Sequence, residues 1–203
     1  AKGVSIALAN ARHMAELEHL AYHDPLTGLQ NRTALQRRFA ELAADGSGPP
    51  TALVLLDLVR FREINDALGH NVGDELLAQV AGRLAQRCPR GRRDVFRLGG
   101  DEFGVVLPGV GSVAEADAAA RRLLESFAEP VRVAEMGLEV GASAGIALYP
   151  EHGRTSHEVL RCADVALHRA KETPGGVAAY ARDLDEHTPE RLAMLSELGR
   201  AIR

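Results

Sequence analysis

The segment Arg97–Gly104, with the sequence Arg-Leu-Gly-Gly-Asp-Glu-Phe-Gly, constrains the fold of this chain more than any other stretch. Two adjacent glycines and two adjacent acids lie between the apolar runs 95–98 and 103–107, which predicts a β-hairpin with the acids at its tip. Neighbouring carboxylates repel each other unless a positive charge lies close to both, so a divalent metal is a natural partner. A solvated Asp-Glu turn explains the same residues equally well, because such turns are common.

Composition limits the kinds of ligand that the chain binds. Its 203 residues, 46% of them hydrophobic, suffice for one domain with a substantial core. The net charge of -4 and the low aromatic content of 4%, without Trp, disfavour nucleic-acid binding through phosphates or base stacking. Basic residues cluster between positions 87 and 93, where they either grip a small anion or form a solvated loop.

Cysteine usage and hydropathy indicate the compartment. The two cysteines have neither the spacing of a metal site nor an obvious pairing, as expected in a reducing cytoplasm. No apolar run approaches the roughly 18 residues of a membrane span, and the first residues lack a signal-peptide pattern. We therefore expect a cytoplasmic domain, either free or as the cytoplasmic part of a membrane-anchored protein.

The first half of the chain alternates helical and strand patterns. Residues 3–22 predict an amphipathic helix whose apolar stripe either pairs with the same helix of a second chain or packs on its own domain. Asn31 is placed to cap a helix over 33–44. Thr51–Asp57 predicts a strand that is buried on both faces and ends in an acid.

The segment after that strand predicts a turn and then a helix. Residues 65–70 form a polar stretch typical of a turn, and Gly73 is predicted to open a helix with apolar residues at helical spacing. Two later segments, Ser112–Glu115 and Thr155–Glu158, have the spacing of capping boxes and predict helix starts. Their helices are expected to run to about Phe127 and to Lys171 respectively.

Strand patterns complete the second half. Residues 131–133 and 138–148 predict paired strands, and 177–180 predict a last short strand. The order of elements predicts an α+β domain with a central, mostly antiparallel five-stranded sheet flanked by helices.

Three acids lie at the ends of strands that are expected to be neighbours in this sheet. Asp57 ends a strand, and Asp101 and Glu102 lie at the hairpin tip. Such a set can bind one or two Mg²⁺ or Mn²⁺ ions, because Mg²⁺ takes few carboxylates together with waters and substrate phosphates. The chemistry that this predicts is attack on a phosphate.

Five segments of the chain belong together: Asp24–Arg32, Leu56–His70, Gly73–Leu77, Arg97–Phe103 and Ala163–Lys171. Their order and spacing, over residues 23–181, resemble those of the GGDEF family, the diguanylate cyclases.

The resemblance implies a fold of the nucleotide-cyclase or polymerase-palm type. It implies a reaction that joins two GTP molecules into cyclic di-GMP with release of two pyrophosphates, each GTP being held by one domain of a homodimer. Residues 1–22 would be a signalling or linker helix below an upstream sensor, and 23–182 the GGDEF domain. Residues 183–203 resemble the linker that leads to a downstream EAL phosphodiesterase domain.

The resemblance also implies roles for individual residues. Mg²⁺ would be held by Asp57, the backbone of Leu58 and Asp101, with Glu102 assisting the metals or the deprotonation of the 3′-hydroxyl. Asn65 and Asp74 would read the guanine edge. The backbone at Arg60 and Phe61, together with Lys171, would hold the terminal phosphates. Gly99 and Gly100 would allow close passage of the nucleotide.

Taken without the family, three of these residues have simpler interpretations. Asn65 is typical of a turn and Asp74 of a helix N-cap, and Lys171 is typical of a helix C-terminus, where it offsets the dipole.

The sequence departs from the family pattern at three places. Val59 replaces a usual second Asp, and Gly175 lies where a phosphate-binding Arg is usual, which predicts weaker GTP binding. Arg90 and Asp94 are one residue too far apart for the family's inhibitory product site, so feedback by cyclic di-GMP is doubtful. An active cyclase is the first hypothesis; a weak or inactive GTP-binding module that regulates an attached EAL phosphodiesterase is the second.

Overall fold

The computed structural model describes residues 20–44, 48–133, 135–173 and 175–182. Most of the helix predicted over 3–22 and all of the linker predicted over 183–203 lie outside these ranges; residues 20–22 are helical. Within the described ranges, none of the helices combines the length and hydropathy that a membrane crossing requires.

A six-stranded sheet forms the centre of the domain. Its strands are β1 (Gln30–Asn31), β2 (Thr51–Leu58), β3 (Val95–Gly99), β4 (Glu102–Pro108), β7 (Ala142–Tyr149) and β8 (Val177–Ala179). They are arranged in the order β1-β3-β4-β2-β7-β8. The three inner pairs are antiparallel, whereas the outermost pairs, β1 with β3 and β7 with β8, are parallel. The mostly antiparallel α+β fold is thus confirmed, with one more strand than predicted, because two residues are too few to show a strand period.

A small antiparallel ribbon, β5 (Val131–Val133) with β6 (Met136–Leu138), lies apart from this sheet. The prediction that 131–133 would pair with 138–148 was therefore wrong except at Leu138, which pairs with Val131. The apolar residues of 142–149 belong to the main sheet, where β7 pairs with β2 along its full length. All eight residues of β7 are buried, so alternation could not separate the two segments.

Helices cover both faces of the sheet, which explains why β2 is buried on both sides. One face packs against α3 (His70–Arg87) and α4 (Val113–Leu124), and the other against α1 (Arg32–Ala44) and α5 (Ser156–Ala170). Alternate residues of β2 point to the two faces: Leu56 joins the first cluster and Leu55 the second.

The helix starts follow the predicted caps. Asn31 Oδ1 accepts a hydrogen bond from the Ala34 amide at 3.1 Å, and Ser112 accepts one from the Glu115 amide at 3.3 Å. Thr155 and Glu158 form a complete capping box at α5. Short 3₁₀ turns at Gly91–Asp94 and Glu125–Phe127 connect the remaining elements.

The polar turn predicted over 65–70 was wrong. The helix α2 spans Phe61–Leu68, Gly69 breaks the chain direction with φ 86°, and α3 begins directly afterwards at His70 rather than at Gly73. The helix α2 is a surface helix with no buried residue, and its polar residues at 65 and 66, followed by Gly69, resemble a turn in sequence.

Candidate active site

The end of β2 and the tip of the β3–β4 hairpin meet at one edge of the sheet. In the ladder Asp57 pairs with Glu102 of β4 on one side and with Ser143 of β7 on the other. The amide of Leu58 donates a hydrogen bond to the backbone oxygen of Asp101 at 3.4 Å. The predicted hairpin is confirmed, and its register brings Asp57, Leu58, Asp101 and Glu102 together.

Glycines shape the hairpin tip. Gly99 has φ 137° and Gly100 has φ 52°, both in the range that side chains with a Cβ avoid. A Cβ at either position would meet nothing within 4 Å, so the space beyond the tip is open. The two glycines therefore let the chain reverse tightly and leave room above the acids for a ligand.

Lys171 supplies a positive charge to this edge. It is the C-cap of α5, as the dipole interpretation predicted, and its Nζ lies 2.7 Å from Oδ2 of Asp57. The close packing of α5 on the sheet makes this possible: a Cβ on Gly145 of β7 would lie 2.3 Å from the backbone of Ala163 and Leu167. The helix end thus carries an ammonium group to the acids.

Both acids of the hairpin tip have pKa values above their ordinary range. Burial raises the pKa of Asp101, and the charge of Asp57 raises it further. Burial also raises the pKa of Glu102, while Arg32 counteracts this and Asp164 adds to it. The negative charge at the tip is therefore incompletely compensated, which favours a cation as ligand.

Asp57 and Asp101 are the carboxylates of this edge that are best suited to hold Mg²⁺, and Glu102 could assist them. In the described parts of the chain, no group of three or more His, Cys, Asp or Glu side chains converges as a metal site. Besides burial, the charge of Asp57 raises the pKa of both Asp101 and Glu102, but Glu102 also has Arg32 as an ion-pair partner at 3.5 Å. Two carboxylates with open space beside them suit an ion that keeps waters and takes further ligands from substrate phosphates.

The residues predicted to read guanine lie on neighbouring helices. Asn65 is inside α2 and Asp74 inside α3, so neither the turn nor the N-cap interpretation is correct. Oδ1 of Asn65 is buried without a hydrogen-bond partner, and Gly73 leaves the space that this side chain occupies. Asp74, the next residue along α3, is exposed.

Arg60 and Phe61 lie at the start of α2. Arg60 is in the left-handed conformation with φ 61°, and the helix has no side-chain cap. The first N–H groups of α2 thus lack intrahelical partners. The Arg60 side chain is exposed and lies 3.9 Å from Glu63.

Two of the three departures from the family pattern meet in one groove. Val59 and Gly175 both line a cavity of about 660 Å³, together with Arg60, Ile64 and Gly141. A Cβ on Gly175 would meet nothing within 4 Å. Neither position therefore brings a charge to this groove, and Gly175 has space for a larger side chain.

Arg90 and Asp94 lie away from the acids, on the side of α1. Asp94 is buried, with Arg38 and Arg90 each 3.8 Å from one of its carboxylate oxygens. These residues and Arg93 line a separate cavity of about 440 Å³. Arg90 and Asp94 thus approach each other, although their spacing in sequence differs from the family motif.

Two charged residues near Glu102 were not predicted as site residues. Arg32 belongs to the first matching segment and Asp164 to the last, and both line a cavity of about 290 Å³ with Glu102. Both residues are far from the hairpin in sequence, so no local pattern predicts that they lie near Glu102. Their membership of the matching segments was the only signal of a role.

Comparison with known proteins gives consistent matches. The sequence model of the family described as "Diguanylate cyclase, GGDEF domain" matches residues 21–176. Diguanylate cyclase TpbB from Pseudomonas aeruginosa is 38% identical over 87% of this chain and 43% of its own length. The bifunctional diguanylate cyclase/cyclic di-GMP phosphodiesterase MucR from the same species is 35% identical over 97% of this chain and 29% of its own length.

The fold is similar to solved structures as well. The crystal structure of a sensory box/GGDEF family protein from Caulobacter crescentus superposes with a TM-score of 0.67 at 44% identity, covering 74% of this chain and 98% of that one. The chain spans between 24% and 43% of the length of the curated relatives that it matches first.

Proposed function

The chain belongs to the GGDEF family of diguanylate cyclase domains, and we propose that it is an active, Mg²⁺-dependent diguanylate cyclase. It condenses two GTP molecules into cyclic di-GMP and releases two pyrophosphates. The observation that carries this proposal is the convergence of Asp57, Asp101 and Lys171 at one open edge of the sheet.

Asp57 and Asp101 would hold the metal, with the backbone oxygen of Leu58 as a further ligand. Bound there, Mg²⁺ or Mn²⁺ would neutralise phosphate charge and lower the pKa of the attacking 3′-hydroxyl. Glu102 would accept the hydroxyl proton or assist the metal, and its raised pKa supports the first of these roles. Lys171, now 2.7 Å from Asp57, would turn to the phosphates when a cation takes over its role as the partner of that carboxylate.

Asn65 and Asp74 would select guanine. An amide and a carboxylate can together bond to the acceptor and donors of the guanine edge, which adenine does not present. The buried, unpartnered Oδ1 of Asn65 supports a ligand at this place, because buried polar atoms are usually hydrogen-bonded. Asp74 would contribute the exposed carboxylate one helix away.

The start of α2 would hold the terminal phosphates. The uncapped N–H groups after Arg60 and the positive end of the helix dipole favour an anion at this position. Gly99 and Gly100 leave the path above the hairpin open. The nucleotide would therefore extend from the α2–α3 pair to the end of β2.

Catalysis would require two domains, because each 3′-hydroxyl must attack the nucleotide of the other domain. We propose a homodimer that forms for the reaction, controlled by an upstream sensor domain. The name of MucR, which combines cyclase and phosphodiesterase functions, supports a downstream EAL domain in the whole protein.

A product assay tests this proposal. The purified chain is incubated with GTP and Mg²⁺ over a range of protein concentrations, and nucleotides are separated by chromatography while pyrophosphate is counted. We expect cyclic di-GMP with two pyrophosphates per product, formed at a rate that rises more than linearly with protein concentration. Bound GTP without any cyclic di-GMP at the highest concentration would contradict it.

A regulatory GTP-binding module is the second candidate. The groove at Val59 and Gly175 favours it, because these two positions offer no side-chain charge to the terminal phosphates. Under this candidate the chain binds GTP and changes the activity of an attached EAL domain without turning GTP over. The product assay separates the two, since only the first yields cyclic di-GMP.

A further inference from the structure

Arg32 lies behind the hairpin tip and contacts both of its strands. Its Nε donates a hydrogen bond to the backbone oxygen of Leu98 in β3 at 3.3 Å. Its Nη2 lies 3.5 Å from Oε2 of Glu102 in β4. The residue before it, Asn31, caps α1, so the backbone of Arg32 is fixed at the first position of a helix.

Glu102 is close to other negative charges. Asp57 is its partner in the β-ladder, and Asp164 of α5 lines the same cavity of about 290 Å³ as Glu102 and Arg32. Two neighbouring carboxylates repel the Glu102 side chain and favour rotamers that point it into solvent. Among the residues lining that cavity, Arg32 is the one for which the structure gives an ion pair with Glu102.

We propose that Arg32 is a positioning residue for the reaction of this site, an inference that rests on the proposed cyclase function. Its guanidinium holds Oε2 of Glu102 and ties that carboxylate to the backbone of β3, which limits the directions in which the carboxylate can point. A planar guanidinium presents several donors in a fixed fork, so one side chain can make both contacts at once. A lysine ammonium is a point charge and lacks this geometry.

The contacts of Arg32 are poorly suited to a mainly structural role. Its side chain is 52% exposed, so its removal leaves no buried cavity. Ion pairs at such exposure contribute little to folding. We therefore expect its loss to change the rate of the chemical step and to change stability and nucleotide affinity little.

The test compares Arg32→Ala and Arg32→Lys with Arg37→Ala. Arg37 lies on the same helix, and its side chain is 62% exposed and paired with Glu41 at 3.2 Å. We expect Arg32→Ala to lower kcat about 10- to 100-fold, since a small misplacement of a catalytic group can cost that much. Its Kd for GTP should stay within about threefold of the wild-type value, because uniform binding is retained. The kcat of Arg32→Lys should lie between those of the wild type and Arg32→Ala, and the kcat of Arg37→Ala should match that of the wild type.

Two results would overturn the proposal: an unchanged kcat in Arg32→Ala, or a loss of GTP affinity as large as the loss of kcat. If the wild type forms no cyclic di-GMP, the proposed function has failed, and Mn²⁺ binding beside a non-hydrolysable GTP analogue, measured by EPR, decides about Arg32. Weaker Mn²⁺ binding in Arg32→Ala than in the wild type supports positioning of Glu102. Equal or tighter Mn²⁺ binding in Arg32→Ala contradicts it. If Arg32 acted only as a nearby positive charge it would repel the ion, and its removal would not weaken binding.

Discussion

The turn at Asp24 and the tip of the β3–β4 hairpin each carry acids, but the surroundings of these acids differ. The Asp24 carboxylate accepts hydrogen bonds from the amide and hydroxyl of Thr27 at 2.8 and 2.7 Å and from Arg97 at 3.0 Å. Burial acts to raise the pKa of Asp24, but the bonds from Thr27 and Arg97 outweigh it and lower the pKa. At the tip, burial and the neighbouring Asp57 raise the pKa of Asp101.

The difference separates an acid that stabilises the fold from acids that are available to a ligand. Asp24 is satisfied within the chain, and through Arg97, which also donates to the backbone oxygen of Gly100 at 2.9 Å, it fixes the hairpin. Burial and the charge of Asp57 raise the pKa of Asp101 more than Lys171 and Arg97 lower it, so its ionised form is disfavoured until a cation binds. One acid thus holds the tip in place, and the other acts on what binds there.

The largest expected effect is that of Asp101→Asn. We expect cyclic di-GMP formation to fall at least about 1,000-fold, because a bound metal supplies several kcal/mol of charge stabilisation in the transition state. The free energy of unfolding, measured by denaturant titration, should not decrease. Product formation at the wild-type rate would show that the tip acid is not a metal ligand.

The second effect is that of Asp24→Asn, which should act mainly on stability. We expect the free energy of unfolding to fall by about 1.5 to 3 kcal/mol, because a charged hydrogen-bond partner of Arg97 is lost within the fold. Cyclase activity at a temperature where the variant is folded should fall less than in Asp101→Asn. Glu63→Gln, at an exposed position of α2, serves as the control. If Asp24→Asn is as stable as this control, Asp24 does not stabilise the fold.

A smaller effect is expected for Gly175→Arg, which restores the charge missing from the groove. The new guanidinium should lower the KM for GTP about two- to thirtyfold, since a charge-assisted contact contributes about 1.5 to 3 kcal/mol and the left-handed backbone costs about 1 kcal/mol. Gly175 has φ 70°, so Gly175→Ala carries the same strain without the charge and is the matched control. Equal KM values for the two variants would show that the phosphates do not approach this position.

The smallest effect concerns pH. In the absence of metal, the raised pKa of Asp101 means that the folded state binds its proton more tightly than the unfolded state, whose value is near 3.8. The gain in the free energy of unfolding of Asp101→Asn over the wild type should therefore be absent below pH 3.8 and appear as the pH rises through the pKa of Asp101 in the folded state. The loss of unfolding free energy in Asp24→Asn should instead be full above pH 3.8 and disappear as the pH falls, because the lowered pKa of Asp24 stabilises the wild type only while this carboxylate is ionised. Denaturant midpoints across this range check both signs, and parallel curves would contradict them.

The central sheet and the hairpin could be predicted because their signals are local. The apolar run of Thr51–Asp57 and the Gly-Gly-Asp-Glu turn each specify their own structure, and both were confirmed. The caps at Asn31 and Thr155 act within four residues and were likewise predictable. These features need no knowledge of the rest of the chain.

Other features depend on distant partners and could not be predicted. The two-residue strand β1 exists only because β3 pairs with it, and the burial of 142–149 depends on β2. The helix α2 looks like a turn in sequence because its polar surface faces solvent. The contact of Arg32 with Glu102 joins residues 70 positions apart, so no local pattern contains it.

We propose that the acids with raised pKa at the hairpin tip form a cation site with Asp57. Its most direct measurement is an EPR titration of Mn²⁺ into the protein bound to a non-hydrolysable GTP analogue, for the wild type and for Asp101→Asn. We expect Mn²⁺ to bind to the wild type and to bind Asp101→Asn at least about tenfold more weakly, since a charged ligand is lost. Equal affinities in the two proteins would contradict the account.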